Sequence, residues 1–549
     1  MVSGSLDLST VGSLDLGGGG GGEENITGPT LVVGASDSLD NDRADYQCSG
    51  AADEADINTA MGALPAAGGR VVLLEGSYTL ADQIVFPANF IVLQGHGRAT
   101  FIDGDALLTT KHAIVLSGYT DCVIKDLAIQ TQDGGGKTCY CIIIGDLSHR
   151  FVIDNVTIVE SDDAGIMVDA ATSAYNGQIV NCIILGADGM GIYNSRGAFN
   201  ILIHGNIITA CATYGIYLYR GTYGIITSNH VYSTTGGGIG ARVNNGVLTI
   251  SDNICWSNDN SGIYMRDCDL GVLSDNVCYR NDQHGIYIFS CAGVEITGNA
   301  CHYNDWFDTA TYDGIYLDSD SAANLVVGNQ CTLNDRNGIQ SDGDRNSILS
   351  NYCASNGDYG IEIGATADAN RVKFNYFYNN TVGVFLDGGT NTELEYESFQ
   401  FIKELVGAYL TASPTGIEID ANTEGAIAQG HIPVGIQQVV RIRVWAVALD
   451  TPIGAGGQMH AEFTFNAGAP NAAYNTAGKS WALANHDSEE ADYVANDVVT
   501  WIIEDGDVGN ELAALVAKDK FELIVTHEAG ADPDGATDAV FGSFTIEYV

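Results

Sequence analysis

Basic residues are scarce in this 549-residue chain: Lys and Arg number 22 against 69 Asp and Glu, for a formal net charge of −47. Such a polyanion repels nucleic acid, which removes DNA and RNA as partners. Proline is rare at 8 while glycine reaches 68, a balance that suits tight turns between short strands better than helices. No run of about 18 apolar residues occurs, so no membrane insertion is expected. The first residues, "MVSGSLDLSTVGSLDLGGGGGGEE", lack the basic start and apolar core of a secretory signal. They double "GSLDL" and run into six glycines, which reads as a flexible leader or a short adhesive arm.

Cysteine is missing after Cys353, although thirteen lie between Cys48 and that point. No CxxC pair and no His/Cys grouping with zinc spacing is present, so neither a metal site nor a redox centre is expected. Serine-nucleophile, phosphate-loop and HExxH patterns are absent as well. Five cysteines, Cys255, Cys278, Cys301, Cys331 and Cys353, sit two residues after an asparagine in a repeated phrase. That placement predicts a buried column of reduced thiols, since free cysteine packs as a small hydrophobe.

The phrase itself is plain in "SDNICWSNDNSGIYM" (251–265) and "SDNVCYRNDQHGIYI" (274–288). Its asparagine recurs ten times from Asn155 to Asn375, and a Gly followed by Ile or Val recurs ten times from Gly165 to Gly383. Self-similarity at about 20–30 residues means stacked units, each unable to bury its apolar face alone. Each unit holds three short alternating runs and no helix-length segment, which predicts a three-stranded coil of a parallel β-helix. The Asn suits a residue near the left-handed α conformation with its amide bonded to the next coil. Upstream, Asp53 reads as an N-cap, Ile57, Ala60, Met61 and Leu64 as one apolar face, and Pro65, Gly68 and Gly69 as a stop. A helix there would cover the open end of the stack.

The asparagine ladder, the coils and "ADYQCSGAADEADINTAMGALPAAGGRVVLLEG" (44–76) resemble the pectate-lyase-like right-handed parallel β-helix superfamily over about residues 30–395. The quoted segment is similar to the start of tailspike-like and other virion proteins of tailed phages. The resemblance implies fold more than activity, because the superfamily holds lyases, hydrolases, epimerases and non-catalytic binders. After about residue 397 the repeat stops. Runs at 437–449, 459–468, 497–505, 520–530 and 541–549 predict an antiparallel, jelly-roll-like β-sandwich, with a short helix at "ELAALVAKD". The expected organisation is an arm over 1–29, a capping segment over 30–80, the β-helix over 81–396 and an assembly domain over 397–549. By analogy with phage proteins the chain is expected to be a homo-oligomer, as a trimer.

In "GIYM" the Ile faces the core, so the next residue faces out. Tyr193, Tyr217, Tyr264, Tyr287 and Tyr316 should form an external column interrupted by Gly240, with Tyr219, Arg242, Arg266, Phe289, Asp318 and Asp342 in a second outward row. Rings beside charged groups suit a sugar polymer, for the rings stack and the charges bond hydroxyls. Cys301 to Gly314 spans 13 residues where the other repeats take 7, so "WFDTAT" is an insertion expected to bring Trp306, Phe307 and Asp308 to the column's edge. For glycoside hydrolysis the carboxyl pair would come from Asp313, Asp318 and Asp342. A lyase would add Ca²⁺ and a base, for which Arg242 and Arg266 are at hand; no other cofactor is called for. The expected role is a virion surface protein (tailspike, fibre or decoration component) binding a polysaccharide or host-surface glycan and other virion proteins, at the virion surface or outside the cell. A polysaccharide lyase or glycoside hydrolase, and a structural protein whose column meets a neighbouring subunit, are the alternatives.

Overall fold

The computed structural model describes residues 28–108, 110–131, 138–220, 223–242, 247–306 and 311–400, then a series of strands between 412 and 548. Alternation of apolar and polar residues with no helix-length period leaves the chain short extended runs, and these wind into a right-handed β-helix with three parallel strands per coil, here named a, b and c. The c strands stack into a 13-stranded parallel sheet running from Ile84–Val85 to Gly383–Asp387. The a and b strands begin as single long strands, such as Val123–Gln130 and Val152–Ile158, and separate from Gln178–Val180 and Ile183–Ile184 onward.

One coil shows why the stack holds. Thr249–Ser251 (a), Ile254–Trp256 (b) and Ile263–Arg266 (c) turn Ile250, Cys255, Ile263 and Met265 inward, and all four are fully buried. The next coils place like residues on them, so Cys255, Cys278, Cys301, Cys331 and Cys353 are register partners in one column. All thirteen cysteines are free and buried, as expected for small apolar fillers.

The asparagine ladder runs from Asn206 to Asn375 between the a and b strands. From Asn206 to Asn351 each side chain donates from Nδ2 to a carbonyl of the preceding coil and to Oδ1 of the next Asn, and that Oδ1 also accepts the backbone N–H; Asn375 ends the ladder on Ile348 O. For Asn276 the partners are Ile250 O at 2.8 Å and Asn299 Oδ1 at 2.9 Å. The left-handed conformation expected of these residues lies one position earlier, at Gly205, Ser228, Asp252 and Asp275, because the turn must bend before the amide can point inward. Asn155 and Asn181 are themselves left-handed and belong to that earlier position; Cys182 takes the place of a ladder Asn and gives its N–H to Asn206. The second anchor has a different cause. A Cβ on Gly285 would lie 2.6 Å from the carbonyl oxygen of Gly314 in the next coil, closer than any side chain allows.

Helix α1, Glu54–Gly62, buries Ile57, Ala60 and Met61 against the first coil, with Leu64 packed beside them. Asp53 stands at its N-cap position without bonding the helix. Its carboxylate instead accepts the N–H groups of Gly50 at 2.8 Å and Thr79 at 2.9 Å and ties the helix to a strand.

Pairing changes from parallel to antiparallel within Glu393–Gln400, which opens as an a strand and then pairs with Ala539–Tyr548. Beyond it, Gly425–His431, Lys520–His527, His460–Gly468 and Lys479–Asp487 make a four-stranded antiparallel sheet, while Val439–Ala448 pairs with Val498–Glu504 and Ala539–Tyr548. The expected strands are present there, with Ala412–Ser413, Gly416–Ile419, Gly425–His431 and Lys479–Asp487 in addition. The N-terminal arm, the helix at "ELAALVAKD" and the packing that would make a sandwich lie outside the described residues. No helix among the described residues is long and apolar enough to cross a membrane.

Candidate functional site

Strand alternation carries the outward tyrosines of the c sheet into one register: Tyr193, Tyr217, Gly240, Tyr264, Tyr287, Tyr316, then Gln340 and Glu362. Gly240 is a seat for rings rather than a blank, since a Cβ there would meet Tyr217 and Tyr214. The column therefore forms two groups. Tyr193, Tyr214 and Tyr217 touch on one side, with centroids 4.9 Å apart for Tyr214 and Tyr217. On the other, Tyr264, Tyr287 and Tyr316 follow at 5.2 Å intervals, and His284 stacks on Tyr316 at 4.8 Å. Because tilted rings spend much of their faces on each other, the column presents edges and hydroxyls rather than open stacking platforms. Burial pushes the phenols of Tyr214 and Tyr287 up to about 12, so they stay protonated and donate.

The second row holds Tyr219, Arg242, Arg266 and Phe289 as expected. The Arg266 guanidinium lies 4.7 Å over the Phe289 ring. Arg242 reaches Asp267 at 2.9 Å and Arg266 reaches it at 3.4 Å, so one carboxylate serves both cations.

The three candidate acids part company. Asp342 is half-buried at the surface and accepts the Tyr316 hydroxyl at 2.9 Å and the Gln340 amide. Asp318 follows the last residue of its strand, and the chain turns it inward: its carboxylate takes Ser290 N–H at 2.9 Å and Ser321 Oγ at 2.7 Å, so it holds a turn instead of joining the outward row. Asp313 is fully buried beneath the tyrosines.

Around Asp313 lies a network that the sequence pattern did not single out. In three successive coils the residue before the c-strand glycine accepts a backbone N–H from the next coil. Asp313 N–H donates to His284 Nδ1 at 2.9 Å, Asn337 N–H to Asp313 Oδ1 at 3.1 Å, and Tyr359 N–H to Asn337 Oδ1 at 3.0 Å. Arg336 joins Asp313 at 3.4 Å to Glu362 at 3.1 Å, and Asn337 Nδ2 donates to Glu362 at 2.7 Å. Burial pushes the Asp313 carboxyl up to about 7 against the pull of Arg336, and burial with Arg336 pushes the His284 imidazole down to about 3. His284 and Asp313, 3.6 Å apart, are thus no ion pair near neutrality, for the imidazole is uncharged and its Nδ1 is already accepting. Among the described residues no group of three or more His, Cys, Asp or Glu is placed to hold a metal ion.

Trp306 lies elsewhere than expected. Trp306 is half-exposed, and the Arg280 guanidinium sits 4.1 Å over its ring while also covering Tyr279, the last residue of a b strand. It belongs with the b side of the turn. Phe307 and Asp308 lie outside the described residues.

Comparison with known proteins agrees with this architecture. The family model described as right handed beta helix region matches residues 86–239 and 237–399. Among solved structures, the A-module of the Azotobacter vinelandii mannuronan C-5 epimerase AlgE4 is 14% identical, covers 61% of this chain and 94% of its own, and has a TM-score of 0.42. The Dettilon tailspike protein is 13% identical over 90% of this chain and 91% of its own, with a TM-score of 0.45. Tailspike protein 3 of bacteriophage CBA120 is 13% identical over 62% and 58%, also at 0.45. No curated protein sequence matches. At these identities the likeness is one of fold.

Proposed function

The chain belongs to the right-handed β-helix family, and on that premise we propose that its c sheet is a polysaccharide-binding face. The observation that carries this reading is the tyrosine column itself, with half-exposed, protonated phenols repeating in register along the axis. Strand spacing sets that repeat at about 4.8 Å. A polymer of hydroxyl-bearing rings laid along the column meets the same donor again and again, with Arg242, Arg266 and Asp342 at its margin. Retention of purified protein on a panel of surface polysaccharides tests it: binding lost on Tyr264→Ala and Tyr287→Ala supports the face, and binding unaltered by both removes it.

A second reading, cleavage of the bound chain by a lyase or hydrolase, is favoured by one arrangement. Asp342 is kept at the surface by two donors, Tyr316 and Gln340, and Glu362 stands in the neighbouring coil in register with Gln340. Two carboxyl groups on adjacent coils, with the Tyr316 phenol on the coil before them, could supply the acid and base that glycosidic cleavage requires. Chain shortening in the same incubation decides between holding and cutting.

The setting at a virion surface, with residues 397–549 as an assembly sandwich and a trimer as the particle, is the finer part of the proposal. It rests on the similarity of residues 44–76 to phage β-helix proteins and on the antiparallel pairing after 400. Deleting 400–549 and measuring the mass of what remains tests the assembly role.

A further inference from the structure

The b strands themselves hold no charged residue, although the Arg280 guanidinium from a neighbouring turn lies over Tyr279. Eight of them, from Ile207–Thr209 to Tyr376–Tyr378, hold 24 residues without one Asp, Glu, Lys or Arg, in a chain whose residues are 17% charged. About four would be met by chance at that composition. Alternation turns the central residue of each strand inward and the two flanking ones out. Most of what faces out is aliphatic or aromatic, with Thr209, His230, His302, Gln330 and Thr332 among it: Ile207, Ile254, Tyr352, Tyr376 and Tyr378 are exposed, the last at 61%. The rings stack on one another, Tyr232 on Trp256 at 4.9 Å and Tyr352 on Tyr376 at 5.3 Å, nearly parallel in both pairs.

We infer that this face is where a second copy of the chain docks, b sheet against a neighbour's surface. Charge selects the occupant. At −47, two copies repel wherever their carboxylates approach, so they meet best where the strands carry none; the b strands are such a strip, with the exposed Asp252, Asp259 and Asp275 kept to the turns at its edges. Its composition points the same way. Interface cores are enriched in Tyr, Trp and aliphatic side chains and depleted of charge. A sugar polymer is served less well here, because the parallel rings cover each other's faces and the aliphatic positions offer no hydrogen bonds. Eight coils at about 4.8 Å give a straight side of roughly 34 Å, which suits another rigid column.

The full-length chain tests this in sedimentation across a range of concentrations. The native protein should show a mass of two or more chains, with association strengthened by salt as residual repulsion is screened. Ile254→Asp combined with Tyr352→Asp should weaken the concentration-dependent step at least 100-fold, leaving only the assembly that residues 397–549 hold, with the thermal transition unchanged because both side chains are exposed. Hydroxyl-radical labelling of the native chain gives a check independent of any variant: Tyr352 and Tyr376 should become more reactive on dilution. A native mass that does not rise with concentration, a concentration-dependent step that survives both substitutions, or labelling that ignores dilution would each overturn the inference. A single chain that loses polysaccharide retention through these substitutions would mean that the b sheet is a sugar site instead.

Discussion

The b and c sheets are two sides of the same coils and share the same inward residues, yet what they turn outward differs completely. A coil such as 272–289 buries Leu273, Cys278, Ile286 and Ile288 alike. Outward it shows Val277 and Tyr279 on b, but Tyr287 and Phe289 on c beside Arg266 and over the buried His284. The inward set specifies the stack and is nearly interchangeable from coil to coil. The outward set is free of that duty, so differences between the two faces are where partners are encoded. The c face has charged and hydrogen-bonding groups in register, fit for a polar polymer; the b strands hold no Asp, Glu, Lys or Arg, and their His230 and His302 are engaged with Trp256 and Thr332, which suits another protein surface.

The largest expected effect breaks the comparison at the acids of the c face. If the bound chain is cut, Asp342→Asn should lower cleavage by about 100-fold or more, the usual scale for a general acid or base, with retention of the polysaccharide intact. Reducing-end release measured alongside binding checks it, and the same loss from an exposed b-face substitution would deny that the faces are separate.

Next comes a change that should damage both faces together. Asn276→Ala removes the acceptor of Asn253 N and Nδ2 and the donor to Ile250 O, leaving buried polar groups unmatched. A loss of roughly 2–4 kcal/mol in urea unfolding is expected, since each orphaned buried group costs about 1–3 kcal/mol. A variant as stable as the native chain would show the ladder to be ornamental.

The buried pair beneath the c face makes a pH prediction. Asp313 holds its proton up to about pH 7 when folded, whereas the unfolded carboxyl loses it near pH 4. Taken alone, Asp313 would make stability fall as pH rises through that window. His284 does the opposite, being neutral when folded down to about pH 3 but protonated when unfolded below roughly 6.5. Between about pH 4.5 and 6 folded and unfolded chains hold one proton each on this pair, and the two slopes cancel. His284→Gln leaves Asp313 uncompensated. The variant's stability relative to the native chain should then fall by about 1.4 kcal/mol per pH unit across that window. Parallel curves would mean that folded His284 is already protonated there, and a variant curve that is itself flat would mean that Asp313 is ionised there.

Much of the fold was legible because the asparagine, the glycine and the cysteine column each answer to a local rule repeated in every coil. The conformational reading of the asparagine missed by one residue: the turn is made by the preceding Gly, Ser or Asp, whose variety hides the pattern. Half of the site was legible too, since alternation alone puts Tyr264, Tyr287, Tyr316, Arg242 and Arg266 on one face. Glu362 follows from the same rule one coil past Gln340. Asp318 obeys the alternation in sequence, but the strand ends before it and backbone donors draw it in. His284, Asp313 and Asn337 share only the ability to accept a hydrogen bond, so no recurring letter marks them. Trp306 went to the b side because Arg280 holds its ring, a contact that no period encodes.

The most direct measurement is polysaccharide retention by the full-length chain carrying Tyr264→Ala and Tyr287→Ala, set beside the chain carrying Ile254→Asp and Tyr352→Asp. Losing two packed aromatic contacts should weaken binding by about 2 kcal/mol or more, at least 30-fold, while leaving mass and unfolding unchanged. The b-face chain should keep its affinity for each single site. Retention that survives the tyrosine changes, or falls only with the b-face changes, would contradict the assignment of the c sheet as the glycan face.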